Sequence, residues 1–365
     1  MKIRRILFLI LLAFPLHHGI AAEREVPLKR GINASHWFAQ SRDYSPERIQ
    51  NHTTREDIRL IRQMGFDHIR LSVNPELLYD SNDPSALHPD YLALLDRAIE
   101  SILEEGLAVI FDIHPQESFK KEITGERRNV ERFGRFWQAL ARHLSRYGEN
   151  QLFLEVINEP QVDDSSKWQQ IQQSWASAIR RGAPDHTIIL TGANWSSPAE
   201  LIQLKPIEDP NVLYNFHFYE PHTFTHQGAG WGADYWPAVR GLPYPVDPQE
   251  IGRLAEKIEN DRARGAVLNY LEQGWDAARV REEVEKVVRW ADTHQVKLLC
   301  NEFGVYRRYT PPESRTLWLR DLREALESFG IGWTRWDYQG GFSVVNQSNG
   351  KKEPDLQTLE ALGLR

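Results

Sequence analysis

Residues 152–160, LFLEVINEP, and residues 296–304, VKLLCNEFG, share one pattern: a short apolar run that ends in Asn–Glu. An apolar run of four to six residues bounded by Pro or Gly reads as a buried strand. Glu159 and Glu302 therefore stand at strand ends, where a carboxylate loses solvation unless hydrogen bonds or charges hold it. A single strand-end acid often only caps the helix that follows. Two of them suggest one pocket with paired carboxylates, the equipment of acid/base and glycosidic chemistry.

Working outward, further strand-length runs lie near Arg30–Ala34, His68–Val73, Ala108–Ile113, Leu152–Ile157, Thr187–Leu190, Val212–Phe216, Lys297–Cys300 and Ile331–Arg335. Most are continuously apolar, as strands buried on both faces are. Helical patterns alternate with them at Thr54–Met64, Pro89–Glu105, Val130–Tyr147, Ser166–Arg181, Asp276–His294 and Pro312–Phe329. Gly65, Gly106, Gly148, Gly182 and Gly330 follow these patterns and suit left-handed helix caps. Eight β–α repeats are the outline of a single (β/α)8 TIM barrel, an α/β fold. The spacing breaks once, over residues 218–296, which hold Trp231, Trp236, Trp275 and the run GLPYPVDP at 241–248. So long a connection is uncommon unless functional. It is expected as an insertion after strand 6, lying over the barrel mouth with short helices of its own.

The chain opens on a basic start, Met1-Lys2-Ile3-Arg4-Arg5, then an uncharged apolar run to Phe14, then small residues at Gly19, Ala21 and Ala22. This is the pattern of a secretory signal peptide over residues 1–22. It leaves 23–365 as one catalytic domain, exported to the periplasm or the medium and not membrane-bound after cleavage. The sole cysteine, Cys300, sits among Leu298, Leu299 and Phe303 and reads as a buried, inert thiol, so no intrachain disulfide is available. A formal net charge of −7 with both signs spread along the chain argues against a nucleic-acid partner. Trp 12, Tyr 12 and Phe 15 serve either a core or sugar stacking.

In such a barrel the chemistry sits at the C-terminal ends of the strands. Those ends carry Asn33, His36 and Trp37; Arg70 in HIRLSVNP; His114 in VIFDIHP; Asn158 and Glu159; His217 and Tyr219 in NFHFYEP; Glu302; and Trp336 in GWTRWDY. The ordered set INEP, HFY and NEFG at strands four, six and seven, supported by HIRLS, DIHP and WTRWDY, resembles glycoside hydrolase family 5, the cellulase family of clan A. The resemblance runs from about Lys29 to the C-terminal LEALGLR. It implies a retaining endo-β-glycosidase acting on a β-linked polysaccharide, foremost β-1,4-glucan, by double displacement. By motif, Glu302 is then the nucleophile and Glu159 the acid/base, with a raised pKa that keeps its proton near neutral pH. Arg70 holds Glu302 ionised, Tyr219 orients it, and Asn158 binds the 2-hydroxyl of the sugar being cleaved. His114 and His217 line that subsite, and Trp336 forms its stacking floor. The expected working form is a monomer with no cofactor.

Two positions depart from the family's usual pattern: Asn301 stands where many members have Gly, and Pro115 where many have His or Asn. His217, His222 and His226 suggest a metal site, but Pro221 denies them helical spacing, so no metal is expected. Trp195, Trp231 and Trp236 are either platforms for the leaving sugar or pins for long loops. The same mechanism also fits mannan, β-1,3-glucan, xyloglucan or an exopolysaccharide made by the same cell. A sugar-binding barrel without catalysis, or a metal-dependent amidohydrolase, are the readings from other classes.

Overall fold

The computed structural model describes residues 27–348 and 350–364; the signal segment expected at 1–22 lies outside the described residues. Eight parallel strands close in sequence order, with the eighth pairing back to the first. They are β1 Arg30–Phe38, β2 His68–Val73, β3 Ala108–Ile113, β4 Leu152–Glu155, β5 Ile188–Thr191, β6 Val212–Phe218, β7 Leu298–Phe303 and β8 Gly332–Arg335. This is the (β/α)8 barrel that the alternation of runs predicts. The helices Arg55–Gln63, Pro89–Glu104, Arg127–Leu144, Ser165–Gly182, Ala277–His294 and Pro312–Ser328 stand where the amphipathic patterns place them. Two glycine assignments are corrected. Gly65, Gly106 and Gly330 have positive φ, but Gly148 and Gly182 do not. Gly182 ends its own helix, where a Cβ would lie 2.5 Å from the Gln138 carbonyl oxygen and 2.8 Å from Ala141. Its smallness lets two helices approach, and no chain reversal is involved.

Period-two alternation sorts the barrel interior into layers. Ile110, Phe153, Ile189, Leu213 and Leu299, with Leu28, form an apolar plug at the bottom. Two residues further along the same strands come Asp112, Glu155, Thr191, Asn215 and Asn301, all buried. Outside the barrel, Trp137, Trp168, Trp175, Trp318 and Trp333 are fully buried, which assigns much of the tryptophan content to packing. Trp137 Nε1 donates to the Val156 carbonyl at 3.0 Å, and Trp168 Nε1 to the Thr191 carbonyl at 2.8 Å. The surrounding helices thereby satisfy backbone acceptors at the ends of β4 and β5 and fix where those strands stop.

The insertion after β6 holds helices His222–Thr225, Pro248–Lys257 and Asp261–Gln273 and a 3₁₀ turn Trp236–Ala238. It buries Phe224, Val239, Leu242, Tyr244 and Tyr270. Gln227 pins it internally, donating to the Phe224 carbonyl and accepting from Leu242 N at 2.8 Å. After β8, Val345–Ser348 pairs antiparallel with Lys351–Pro354, a ribbon that the apolar pattern did not reveal because its residues are mostly exposed.

Candidate active site

Strand register assembles the site. Asn33 stands opposite Arg70, Asp112 opposite Glu155, and His217 opposite Glu302. A register shift after Phe216 gives β7 one extra residue, so Asn301 and Glu302 both reach inward, the re-aiming that a bulge provides. Arg70 lies at the centre, fully buried. Its Nε and Nη2 donate to the two oxygens of Glu155 at 2.7 and 2.8 Å. Nη1 donates to Asn33 Oδ1 at 2.9 Å and to Glu302 Oε1 at 2.6 Å. Nη2 also reaches Asn158 Oδ1 at 2.9 Å and Asp112 Oδ2 at 3.1 Å. Arg70 therefore serves three carboxylates, not Glu302 alone. Burial disfavours its charge, but Asp112, Glu155 and Glu302 together raise its pKa well above the ordinary guanidinium value. Burial raises Asp112 and Glu155 in turn, with Arg70 opposing. Neither acid was singled out from the sequence. The available signal is a charge inside an otherwise apolar strand, as in VIFDI and LFLEV.

Asn301, one of the two departures, donates from Nδ2 to Glu155 Oε2 at 2.7 Å and contributes to this polar layer. Tyr219 Oη donates to the second oxygen of Glu302 at 3.0 Å. A relay runs beside it: His114 Nδ1 meets Asp112 Oδ2 at 2.8 Å, and Asn158 Nδ2 meets His114 Nε2 at 3.2 Å. Burial brings His114 down to about 3. A neutral ring donating from Nδ1 and accepting at Nε2 satisfies both contacts. Trp336 stacks on that ring at 5.9 Å and 20°. Gly304 lets β8 come close, since a Cβ there would sit 2.4 Å from Arg335 Nη1 and 2.5 Å from the Trp336 carbonyl.

Glu159 departs from expectation. Its Oε1 accepts from His217 Nδ1 at 2.9 Å, and the same nitrogen lies 3.6 Å from Glu302 Oε2. Burial pushes Glu159 up, but the imidazolium of His217 overrides it and holds the carboxyl down at about 2. His217 is raised: burial opposes its charge, but Glu302 and Glu159 outweigh burial. In the free protein the proton rests on the histidine of this pair. The raised His217 contributes stability below pH 6.5 that is lost as pH climbs through its folded value. The depressed Glu159 contributes stability above pH 4.5 that is lost on acidification toward about 2. The melting-temperature difference between the native protein and His217→Asn is therefore expected to peak between pH 4.5 and 6.5. A difference that is flat from acid to alkali would remove the ion pair from this account.

The pair opens into a cleft of about 770 Å³ whose walls include His114, Trp195, Trp231, Trp236 and Trp336. Trp195 and Trp231 are 55% and 50% exposed, as platforms are. Trp236 instead stacks on His226 at 4.6 Å and pins the insertion. His222 and His226 are part of that stack. Among the described residues, the acid and histidine atoms near enough together to share an ion belong to Glu159, His217 and Glu302, within 4.8 Å of one another. His217 Nδ1 is already committed there to Glu159. Of the eight residues expected at the site, direct hydrogen bonds join Arg70, His114, Asn158, Glu159, His217, Tyr219 and Glu302, and Trp336 packs against them.

A closed (β/α)8 barrel with two carboxylates meeting at its C-terminal mouth, beneath an aromatic cleft, defines a glycoside hydrolase. The chain belongs to the cellulase family, glycosyl hydrolase family 5, whose sequence model matches residues 25–341. It is 29% identical over 343 residues to endoglucanase C of Acetivibrio thermocellus, spanning 92% of this chain and 98% of that one. It is 30% identical over 314 residues to cellodextrinase A of Ruminococcus flavefaciens, spanning 83% of each. The solved cellulose synthase subunit Z of Clostridioides difficile aligns with a TM-score of 0.75 at 25% identity, over 92% of this chain and 99% of that one. Thermotoga maritima Cel5A in complex with cellobiose aligns at 0.73 and 25%, over 92% and 97%.

Proposed function

We propose that this chain is an exported retaining endo-β-1,4-glucanase in which Glu302 is the nucleophile and Glu159 the acid/base. The observation that carries the reading is the approach of a Glu159 oxygen to a Glu302 oxygen within 4.8 Å. Retaining glycosidases hold their carboxyls about 5 Å apart, whereas inverting ones leave roughly 6.5–9.5 Å for a water. Arg70 and Tyr219 each grip one oxygen of Glu302, which aims it at an anomeric carbon. In the first step a Glu302 oxygen bonds to that carbon, the glycosidic bond breaks, and the leaving oxygen takes a proton from Glu159. The proton reaches Glu159 from His217 along their 2.9 Å bond. As Glu302 becomes an ester its charge disappears, so the now neutral His217 has one carboxylate fewer to draw a proton back, and Glu159 stays ionised. In the second step Glu159 removes a proton from water, which displaces the sugar from Glu302. Asn158 faces the 2-hydroxyl, His114 lines the subsite, and Trp336 supports the sugar ring.

The names of relatives such as endoglucanase C support β-1,4-glucan as the substrate. Similarity to a cellulose synthase subunit favours a second reading, in which that glucan is one the cell itself makes. Residues 1–22 act as the signal peptide, and 23–365 work as a single monomeric domain in the periplasm or the medium. No helix among the described residues is long and apolar enough to cross a membrane.

The test is reducing-end release from β-1,4-glucan, bacterial cellulose, mixed-linkage glucan, β-1,3-glucan, xyloglucan and mannan, with a Glu159→Ala variant alongside. The variant is expected to lose about 10²–10⁴-fold on polymers, the usual contribution of general acid/base catalysis. On an aryl β-cellobioside, whose leaving group needs little protonation, azide should restore part of the rate and yield the β-glycosyl azide. Release of the α-azide, or of none, would sink the retaining assignment.

A further inference from the structure

Behind the cleft-lining ring of Trp195 lies a cation that the mechanism above does not use. Lys120 lies on the helix Glu117–Gly125 that follows β3, and only 5% of it is exposed. Among the described residues no carboxylate oxygen comes within 4.0 Å of its Nζ and no acceptor hydrogen-bonds to it. The side chain is buried but its Nζ is not fully enclosed, so the ammonium can take an acceptor that arrives from outside the chain. Nζ lies over the ring of Trp195, 5.8 Å from its centroid, and Trp195 lines the cleft. That ring is itself deliberately placed. Asn194, Trp195 and Ser196 have φ of 37°, 62° and 55° in succession, a run that side-chain-bearing residues keep only where the surroundings impose it. Trp195 N donates to the Pro160 carbonyl at 3.0 Å, which ties the backbone at Trp195 to the loop that carries Glu159.

Trp336 follows β8 and Trp195 follows β5, three strands apart around the closed barrel, so the two indoles line different sectors of the cleft. The sugar that is attacked takes Trp336, which leaves Trp195 and Lys120 for the leaving group. Resting on the glucanase reading, we infer that Lys120 hydrogen-bonds a hydroxyl of the neutral sugar on the leaving-group side of the scissile bond, while that sugar stacks on Trp195. The ammonium offers three donors and needs acceptors. Glu117, Glu159, Glu220 and Glu302 line the same cleft and would repel an acidic sugar, so the acceptor is a hydroxyl and not a carboxylate.

The experiment compares kcat/KM on cellotetraose, whose leaving group is a sugar, with kcat/KM on 4-nitrophenyl β-cellobioside, whose leaving group is not. For Lys120→Met the ratio of the two is expected to fall about ten- to a hundredfold, the worth of a hydrogen bond to a charged group. Lys120→Arg should recover part of the ratio, and Trp195→Ala should lower it in the same sense. A Lys120 that serves only packing, or only the charge around Glu159, would change both substrates alike, so an unmoved ratio overturns the inference. Trp195→Ala alters a half-exposed side chain and keeps the test open should Lys120→Met not fold; an unmoved ratio there overturns the subsite as well. Native protein that cleaves neither probe brings down the glucanase reading together with the subsite built on it. Native protein that cleaves both, with the ratio unmoved in the variants, brings down the role of Lys120 alone.

Discussion

Glu302→Gln is expected to reduce turnover on any β-glucan substrate by about 10⁴-fold or more, the scale seen when a covalent nucleophile is removed. The amide keeps the shape of the carboxylate, and its carbonyl can still accept from Arg70 or Tyr219, but it cannot form the glycosyl ester. Folding should survive, because Arg70 retains Glu155 at 2.7 Å and Asp112 at 3.1 Å as counter-charges. The cleft and its indoles are untouched, so an oligosaccharide should still bind and perturb tryptophan fluorescence. Steady-state rates, a thermal melt and a fluorescence titration on one preparation check all three statements. Residual activity above a few per cent, from protein shown free of native enzyme, would remove Glu302 from the nucleophile's place.

The largest effect on stability is expected at Arg70. Arg70→Met leaves Asp112 and Glu155, both fully buried, without the cation that compensates them. Breaking a buried pair in this way costs about 3–5 kcal/mol, and here one deletion strands more than one acid. Arg70→Lys should be nearly as damaging, since an ammonium cannot span the two oxygens of Glu155, the carbonyl of Asn33 and Glu302 together. The deficit has a sign in pH. Burial already raises Asp112 and Glu155, and without Arg70 their protonated forms gain further. The variant should therefore lose least in mildly acidic buffer and most in alkaline buffer. Urea unfolding at both ends of that range measures it, and Glu155→Gln placed in the Arg70→Met background should return part of the loss. A variant that unfolds at the native denaturant concentration in alkaline buffer would contradict the central role given to Arg70.

The barrel was legible because its physics is local. Strands buried on both faces read as unbroken apolar runs, and amphipathic helices alternate with them at regular spacing. Glu159 and Glu302 were legible for the opposite reason: a carboxylate that ends such a run stands out as costly. Asp112 and Glu155 sit inside equivalent runs and passed as strand interior. Their partner, Arg70, is 85 residues from Glu155 in sequence and is brought to it by closure of the sheet. The caps at Gly65, Gly106 and Gly330 follow from local backbone preference. The need for glycine at 182 and 304 arises from what another segment places against it.

By itself, then, the sequence determined the eight-fold β–α order, the strand ends that carry polar groups, the place of the insertion and the two glutamates. These depend on period, burial and backbone preference within a few residues. Only the tertiary structure decided that Arg70 answers three carboxylates, that Asn301 joins Glu302 in facing inward, and that the proton of the Glu159 pair rests on His217. It likewise decided which tryptophans face the cleft and which pack behind it. Proton affinity and exposure are set by charges and surfaces a few ångströms away, and those neighbours come from strands far apart in the chain that meet only when the barrel closes.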